Sequence, residues 1–528
     1  MVSQRPPLTA CGRLGALFAQ RQHTIQYGRP LCLRSPVFRR SVSTEAGNGT
    51  AAVVDDTRSS SHRSLLTLAI ETSCDDTCVA ILEKRGAAAR LLHNDKATSD
   101  LRRFRGVEPR WATVGHTATL ASLVDKALRA LPRIDGNKGT SAGGVIALGP
   151  DDLRRRPDFV SVTGGPGMRS SLSVGLNTAK GLAVAWQVPL VIVHHMKAHA
   201  LTPRLVHATG LPWPDEDDPQ QQDPTAAARP AFPFLTLLVS GGHTQLVLSR
   251  SVSSHTILAD ARNVAIGDML DKCARAILPE DVLERADSVM YGRELERFAF
   301  PDLSSSSSQS HNNSNPYDYH PPISRAQEIQ PYQSPTHAWV LKPPIYNTRA
   351  LVFDFSGFGG DVRAIATRSE PFHNLPPLTL PERRELARET MRLAFEHLCG
   401  RVILALQAMK RGELSPYPDL PASQELEAIQ LPQTLVISGG VAANKFLMHV
   451  FQEMLQARGY GWMEVVTPPA ELCTDNAAMV AWAGMEMFES GEMETRGPKV
   501  ALDALPRAKW PLGEGLEEEE EGVPSEDR

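Results

Sequence analysis

The chain has 528 residues, of which 42% are hydrophobic and 22% are charged, with 38 Gly and 40 Pro. This length exceeds what one hydrophobic core covers, so the sequence predicts two lobes with additional segments, and its composition excludes collagen, a coiled coil and a disulfide scaffold. No apolar run reaches the ~18 residues that a membrane-spanning helix needs, so we expect no membrane partner. The seven cysteines have no paired spacing, which indicates reduced thiols in a reducing compartment.

The net charge of -5 conceals an uneven distribution. Residues 1–44 contain seven arginines and no Lys, Asp or Glu, which is typical of a mitochondrial transit peptide; a disordered basic tail is the alternative. Residues 45–63 are small and polar and predict a linker, whereas residues 513–528 carry a net charge of -7 and predict a disordered acidic tail. Any nucleic-acid surface must therefore be a local patch.

Strand and helix patterns alternate between these ends. Residues 64–83 and 234–248 each predict two apolar strands around a polar turn, and helical patterns cover residues 170–187, 263–278, 380–409 and 476–487. We therefore expect an α/β fold with two similar lobes and a cleft between them. Residues 64–205 would form the N-terminal lobe, completed by about residues 476–512, and residues 231–475 the C-terminal lobe. Residues 302–335, which include SSSSSQSHNNSNP, predict a disordered insertion.

The turns of the two hairpins carry different chemistry. Ser240, Gly241 and Gly242 form a turn whose backbone N–H groups can cradle a phosphate, although an ordinary tight hairpin is the alternative. Asp75 and Asp76 occupy the first turn, where acidic residues contact a cation or position a nucleophile. The sequence lacks GxxxxGK[ST], which excludes a P-loop, and no GxGxxG heads a βαβ unit, which counts against a Rossmann dinucleotide site.

A pair of histidines suggests a metal site. His195 and His199 are four residues apart, so on a helix both imidazoles lie on one face, as a divalent metal requires of two ligands; a surface pair is the alternative. Met196 stands where an HExxH metalloprotease carries its glutamate, which argues against proteolysis. Asp475 is a candidate third ligand or a helix N-cap.

Three further residues stay open on spacing alone. Asp271 lies on a predicted helix, where its carboxylate can bind sugar hydroxyls or face solvent. Gly292 and Glu296 are equally ambiguous.

Eight segments occur in one order along the chain: LAIETSCDDT, TGGPGMRSSLSVG, HHMKAHA, LLVSGGHTQLV, IGDMLDKCAR, FDFSG, ISGGVAANK and CTDNAAM. Together they resemble the motifs of the tRNA N6-adenosine threonylcarbamoyltransferase family, and most closely its mitochondrial branch. The resemblance covers about residues 65–485, apart from the insertions. It implies a duplicated, two-lobed actin/sugar-kinase-like ATPase fold with the active site in the cleft.

The resemblance also implies an activity. A member of this family transfers threonylcarbamoyl from threonylcarbamoyl-AMP to N6 of adenosine 37 in tRNAs that read ANN codons, forming threonylcarbamoyladenosine and releasing AMP. For the mitochondrial branch it implies a homodimer in the matrix. A non-catalytic nucleotide-binding scaffold of the same fold is the alternative, and a sugar kinase would lack the HxxxH pair.

The residue roles follow from the same motifs. The metal ligands would be His195, His199 and Asp475, holding one divalent ion per subunit; imidazole and carboxylate ligands suit zinc or iron. Asp75 or Asp76 would take the proton from the adenine amine, and the sequence does not distinguish them. The donor would be bound by Leu238, Val239, Ser240, Gly241, Gly242, Asp271, Gly292, Glu296, Ala443, Asn444 and Thr474.

Overall fold

The computed structural model describes residues 64–104, 106–134, 144–214, 227–286, 290–301, 315–414, 431–491 and 498–512. The predicted transit peptide, linker and acidic tail lie outside these residues. All of the described residues belong to one compact unit, Ser59–Arg528.

The first sheet has five strands in the spatial order β3-β2-β1-β6-β7. In chain order, the strands of this half are β1 (Leu65–Glu71), β2 (Asp76–Arg85), β3 (Ala88–Thr98), β4 (Val145–Gly149), β5 (Asp152–Arg155), β6 (Phe159–Gly165) and β7 (Leu190–His194). β4 and β5 form a separate antiparallel pair. β1 pairs antiparallel with β2 and parallel with β6, and β7 extends the parallel side. β1 and β6 are buried on both faces, which explains their continuous apolar sequences.

The second sheet repeats this arrangement. Its strands are β8 (Phe234–Val239), β9 (Thr244–Ser249), β10 (His255–Ala261), β13 (Val352–Phe353), β14 (Thr434–Ser438) and β15 (Glu464–Val466), in the spatial order β13-β10-β9-β8-β14-β15. A small hairpin, β11 (Tyr332–Gln333) and β12 (Val340–Leu341), lies apart from it. The series β10-β9-β8-β14-β15 has the same two antiparallel and two parallel pairings as the first sheet. The two halves therefore share one strand topology.

The helices pack around these sheets. They are α1 (Pro109–Ala130), α2 (Arg169–Trp186), α3 (His195–Gly210), α4 (Ile266–Ile277), α5 (Glu280–Glu284), α6 (Gly292–Ala299), α7 (Arg325–Glu328), α8 (Ser356–Thr367), α9 (Leu380–Lys410), α10 (Lys445–Ala457), α11 (Ala470–Cys473), α12 (Ala477–Glu489) and α13 (Pro498–Asp503). The four predicted helices are confirmed as α2, α4, α9 and α12, with ends within three residues of those expected. Within the described residues, no helix is both long and apolar enough to cross a bilayer.

The end of the chain completes the first half of the fold. α12 packs on β1 and β2 and against α3, and Trp482 is fully buried in the cluster that they share. Phe234 of β8 and Val436 of β14 belong to the same cluster. α3 and α12 therefore lie between the two sheets and join them.

The prediction of a disordered insertion over residues 302–335 is wrong for residues 315–335. This segment contains α7 and β11, and Tyr319 and Glu328 are buried. Glu328 pairs with Arg325 and with Arg458 of the segment after α10, which fixes α7 to the fold. The polar composition misled the prediction because Arg458 is distant in sequence. Residues 302–314 lie outside the described residues.

Candidate functional site

The ends of three parallel strands create the first part of the site. β1, β6 and β7 run in the same direction, so their carboxyl ends meet at one edge of the first sheet. β1 ends at Glu71 and leads into the loop with Asp75, β6 ends at Gly165, and β7 leads directly into α3. This topology brings Glu71, Thr163 and His195 into contact although they are far apart in sequence.

The predicted metal ligands lie together and are largely buried. His195 and His199 occupy the first two turns of α3 and are 6% and 3% exposed. Asp475 lies between α11 and α12. Its Oδ1 atom is 3.5 Å from His195 Nε2 and 3.2 Å from His199 Nε2. The cluster thus joins the start of α3 to the turn between α11 and α12.

The Asp475 carboxylate can face the histidines because the next residue, Asn476, caps α12 in its place. The Asn476 side chain accepts a hydrogen bond from Met479 N, so Asn476 is the N-cap of α12. The alternative role for Asp475, a helix cap, is therefore wrong, and its carboxylate turns toward the histidines. The charge of those imidazoles holds the pKa of Asp475 well below its usual range, even though burial acts in the opposite direction.

Glu71 contacts His195 on the side of the ring away from Asp475. The sequence did not predict this residue as part of the site. Glu71 is 0% exposed, and its Oε2 atom lies 3.1 Å from His195 Nδ1 and accepts a hydrogen bond from Thr163 Oγ1 at 2.5 Å. Burial disfavours a charged imidazole, but Asp475 and Glu71 outweigh it and raise the pKa of His195 to about 9. An acid at the end of a fully buried strand was the signal in the sequence, since such a residue is rarely left without a partner.

These residues fit a bound metal. Zinc lies about 2.0–2.2 Å from nitrogen and oxygen ligands, which separates neighbouring ligand atoms of a tetrahedral site by about 3.4 Å. The two separations from Asp475 Oδ1, 3.2 and 3.5 Å, match this spacing. Glu71 occupies Nδ1 of His195 and leaves Nε2 for the ion, the arrangement that carboxylates give to metal-binding histidines. A divalent cation would also compensate the two carboxylates, as protonated His195 does without it.

A C-terminal strap, residues 504–512, supports the start of α3. His194 caps α3 by accepting a hydrogen bond from Met196 N at Nδ1, and its Nε2 donates to the Trp510 carbonyl at 2.8 Å. Burial lowers the pKa of His194 to about 3, so the ring is neutral. A cavity of about 310 Å³ lies between the strap and the loop after β8, with His194, Gly242 and Lys509 among its lining residues. The metal cluster does not line this cavity.

The structure distinguishes the two acids of the β1–β2 loop. Asp76 pairs with Lys96 Nζ at 3.1 Å and accepts a hydrogen bond from Thr98 Oγ1 at 2.5 Å. Asp75 forms no ion pair with the described residues and is 5% exposed. Burial, followed by repulsion from Asp76, raises the pKa of Asp75 above that of an ordinary aspartate. Lys96 also donates to Thr474 Oγ1 at 3.3 Å, so Thr474 belongs to this side of the site.

The backbone of the loop after β8 is accessible, but two of its N–H groups already donate hydrogen bonds within the loop. The Oγ atom of Ser240 accepts from Gly242 N and His243 N, at 3.3 and 3.0 Å. A Cβ atom at Gly241 or Gly242 would have no neighbour within 4 Å. Leu238 and Val239, also predicted here, are buried residues of β8.

Gly267 fixes the position of this loop. Its N–H group donates to the Ser240 carbonyl at 3.1 Å, and a Cβ atom at Gly267 would lie 2.6 Å from that oxygen. The first turn of α4 therefore packs directly on the loop.

Three of the other predicted donor-binding residues accept hydrogen bonds at the N-termini of two helices, α6 and α10. Asp271 Oδ1 accepts from Gly292 N at 3.0 Å at the start of α6. Glu296 Oε1 accepts from Phe446 N at 3.0 Å, and Asn444 Oδ1 accepts from Leu447 N at 3.0 Å, both at the start of α10. Burial raises the pKa of Asp271 to about 6 and also raises that of Glu296.

Ala443 lies beside the loop after β8. It ends a short 3-10 helix, Gly440–Ala443, that follows β14. β14 is parallel to β8, so their carboxyl ends are adjacent. Gly439 begins this turn at φ 103°, and a Cβ atom there would lie 2.4 Å from the Val239 carbonyl. Only glycine allows this close approach of the two strands.

Comparison with known proteins identifies the family. The profile described as "TsaD: tRNA N6-adenosine threonylcarbamoyltransferase" matches residues 146–214 and 221–482. The chain is 31% identical over 472 residues to the mitochondrial tRNA N6-adenosine threonylcarbamoyltransferase of Schizosaccharomyces pombe, covering 86% of this chain and 89% of that one. This chain belongs to the tRNA N6-adenosine threonylcarbamoyltransferase family. It is a transferase.

Other relatives agree. The Brucella ovis protein called tRNA N6-adenosine threonylcarbamoyltransferase is 31% identical over 451 residues, which is 85% of this chain and 95% of the relative. Among solved structures, YeaZ from Pseudomonas aeruginosa is similar at 14% identity and a TM-score of 0.20, covering 37% of this chain and 66% of its own. That score is too low to support an argument about the fold.

Proposed function

We propose that this protein transfers threonylcarbamoyl from threonylcarbamoyl-AMP to N6 of adenosine 37 in mitochondrial tRNAs that read ANN codons. The products would be threonylcarbamoyladenosine and AMP. The observation that carries the proposal is the cluster of His195, His199 and Asp475, which are far apart in sequence and lie together in a chain of this family. A non-catalytic scaffold would not require this cluster, and nothing in the structure favours that alternative.

The proposed fold is the duplicated, two-lobed actin/sugar-kinase-like ATPase fold. The shared order β3-β2-β1-β6-β7 and β10-β9-β8-β14-β15 supports a duplication. The loop after β1 and the loop after β8 are equivalent in the two halves, and Asp475 brings the second half to α3. An active site between the halves agrees with these positions.

His195, His199 and Asp475 would hold one divalent ion, zinc or iron by the chemistry of the ligands. When bound, the ion supplies Lewis-acid polarisation of the carbamoyl carbonyl. Glu71 keeps the proton on Nδ1 of His195, and the strap holds the first turn of α3 through His194. These residues keep the cluster in place without touching substrate.

The donor would lie across the loop after β8. The backbone of Leu238, Val239, Ser240, Gly241 and Gly242 would receive its phosphate and carboxylate region, because a turn without side chains lets an anion approach N–H groups closely. The nucleoside part would bind towards Asp271, Gly292, Glu296, Ala443, Asn444 and Thr474. Asp271 and Glu296 cap helices here, so they would act by shaping this pocket as well as by hydrogen bonding.

Asp75 is the better candidate for the base. The adenine N6 attacks the carbamoyl carbon, the bond from that carbon to the AMP oxygen breaks, and the N6 proton passes to a carboxylate. Asp76 is held by Lys96 and Thr98, whereas Asp75 forms no ion pair with the described residues and has a raised pKa. A raised pKa makes Asp75 the stronger base once it is ionised.

The mitochondrial location rests on the arginine-rich residues 1–44 and on the mitochondrial relative. The resemblance to that branch also supports a homodimer in the matrix, which sedimentation of the full chain would test. Import of the full chain fused to a fluorescent protein, compared with a chain beginning at residue 45, would test the location.

The reaction is tested by incubating the protein with threonylcarbamoyl-AMP, a divalent metal and an unmodified tRNA that reads an ANN codon. Nucleoside mass spectrometry should detect threonylcarbamoyladenosine. The matched control is the same tRNA with guanosine in place of adenosine 37, which should give no product. AMP release at equal rates with both tRNAs and no modified nucleoside would contradict the proposal, since it would indicate hydrolysis of the donor.

A further inference from the structure

A group of exposed arginines and aromatic rings lies next to the β1–β2 loop. We call Arg103, Phe104, Arg110 and Trp111 the Arg–aromatic patch. Phe104 and Trp111 are 39% and 45% exposed, and their ring centroids are 6.2 Å apart. The Arg103 guanidinium lies 4.5 Å from the Phe104 ring centre and 4.2 Å from that of Trp111. Contiguous exposed apolar surface bordered by charged side chains is typical of an interaction site, whereas isolated exposed rings are common.

The Arg–aromatic patch lies in a positively charged segment, although the whole chain has a negative net charge. Residues 102–111 (RRFRGVEPRW) contain four arginines and one acid, whereas the whole chain has a net charge of -5. The acid, Glu108, caps α1 by accepting a hydrogen bond from Trp111 N at 2.8 Å, so its carboxylate faces the first turn of the helix. The sequence requires any nucleic-acid surface to be local, and this segment has the necessary charge.

The residues on either side of the patch contact the loop that carries Asp75, the proposed base. Ser99 N, just before the patch, donates to the Asp75 carbonyl at 3.2 Å. Two turns into α1, His116 contacts the Cys74 carbonyl at 2.8 Å and Thr77 Oγ1 at 2.8 Å. The segment with the patch therefore borders the loop that carries Asp75. An RNA whose adenosine reaches Asp75 would therefore have the segment that carries Trp111 as a neighbour.

We propose that the Arg–aromatic patch binds the anticodon loop of the substrate RNA, with an unpaired base beside the target adenosine stacked on the exposed rings. This rests on the proposed function and adds the surface that the RNA occupies. Bases of single-stranded loops stack on aromatic and guanidinium planes, while arginines contact the phosphates. The combination of ring faces with arginine fits RNA better than a protein partner, for which charge of this density would need an acidic counterpart.

The test measures binding of an unmodified anticodon stem-loop RNA to the full chain by fluorescence anisotropy. Trp111→Ala should raise the Kd ~10-fold, as expected for the loss of one stacked base, and Trp111→Phe should retain most of the affinity. Arg103→Ala should lower the slope of log affinity against log salt by about 0.7, the value for one phosphate contact on a single strand. Trp462→Ala, which removes a ring that is 41% exposed elsewhere on the surface, is the matched control and should bind normally.

Kinetics add an independent readout. The KM for the stem-loop should rise in Trp111→Ala while kcat at saturating RNA stays unchanged, because Asp75 and the metal ligands are intact. Unchanged Kd and salt slope in both patch variants would overturn the proposal while leaving the transferase function standing. Loss of binding only in parallel with dissociation of an oligomer, measured by sedimentation, would overturn it in favour of a second copy on the patch. Absence of product with the unaltered chain would instead reject the proposed function.

Discussion

Glu71 Oε2 lies 3.1 Å from His195 Nδ1, so one buried carboxylate fixes both the orientation and the proton of a predicted metal ligand. Asp475 lies on the other side of the same ring, 3.5 Å from Nε2. The imidazole is thus held between an acid from the end of β1 and an acid from the segment before α12. This relationship is the physical basis for treating the cluster as a preformed metal site.

Glu71→Gln tests this relationship. Glutamine keeps the volume of the side chain but removes the charge that orients His195, so the affinity for zinc should fall by about 10–100-fold while the fold is retained. Competition with a chromogenic chelator measures the affinity. Glu489→Gln, which changes an exposed acid paired with Lys84, is the control. Equal zinc affinity in both variants would show that Glu71 has no such role.

Asp75→Asn should reduce kcat by about 10²–10⁴-fold, the usual contribution of a general base. Asp76→Asn should act mainly through the contact between Lys96 and Thr474, so it should change the KM for the donor more than kcat. In the unaltered enzyme, the rate should fall as the pH drops through the raised pKa of Asp75, because the base is then protonated. A steady-state pH profile with both variants decides the matter; an Asp76→Asn enzyme as inactive as Asp75→Asn would contradict the assignment.

Asp75→Asn should also stabilise the protein. The folded state raises the pKa of Asp75 above its unfolded value, so it binds the proton more tightly than the unfolded state does. The contribution of Asp75 to stability is then complete below the unfolded pKa and is lost as the pH rises through the folded pKa. Asp75→Asn is uncharged at every pH, and its melting temperature at pH 7 should exceed that of the unaltered chain. A lower melting temperature would contradict the burial argument.

His194 should stabilise the start of α3 independently of the metal. His194→Ala removes the cap at Met196 N and the hydrogen bond to the Trp510 carbonyl, and should cost about 2 kcal/mol in the free energy of unfolding. His194→Asn restores a good capping residue and should recover part of that loss. Urea denaturation in the presence of a chelator measures both. Identical stability of the alanine and asparagine variants would argue against capping.

The ordered part of the insertion depends on a buried charge cluster. Glu328 is 4% exposed and pairs with Arg325 and Arg458. Glu328→Ala leaves Arg458 uncompensated in the interior and should destabilise the fold by about 3–5 kcal/mol. Asp281→Ala breaks an exposed pair with Arg285 and should cost less than about 1 kcal/mol. Similar losses of unfolding free energy in both variants, measured by denaturation, would show that the buried cluster stabilises the fold no more than an exposed ion pair does.

The sequence predicted both hairpins, four helices and the residues of the metal cluster, because local apolar periodicity and the motifs carry that information. It did not predict Glu71 or His194 as supporting residues, since the His195 ring that Glu71 contacts and the Trp510 carbonyl that His194 contacts are each more than 100 residues away. Residues 315–335 were predicted wrongly for the same reason: Glu328 is ordered by Arg458, which composition does not reveal. The choice between Asp75 and Asp76 needed the position of Lys96 on the neighbouring strand.

The most direct test of the metal site and of its role in the reaction compares the unaltered protein with Asp475→Ala. Both are incubated with threonylcarbamoyl-AMP, tRNA and divalent metal, and modified nucleoside and bound metal are measured on the same samples. We expect threonylcarbamoyladenosine and about one metal per chain for the unaltered protein, and neither for the variant, with its fold retained by circular dichroism. An Asp475→Ala protein that keeps its metal and forms the product at the normal rate would contradict this expectation.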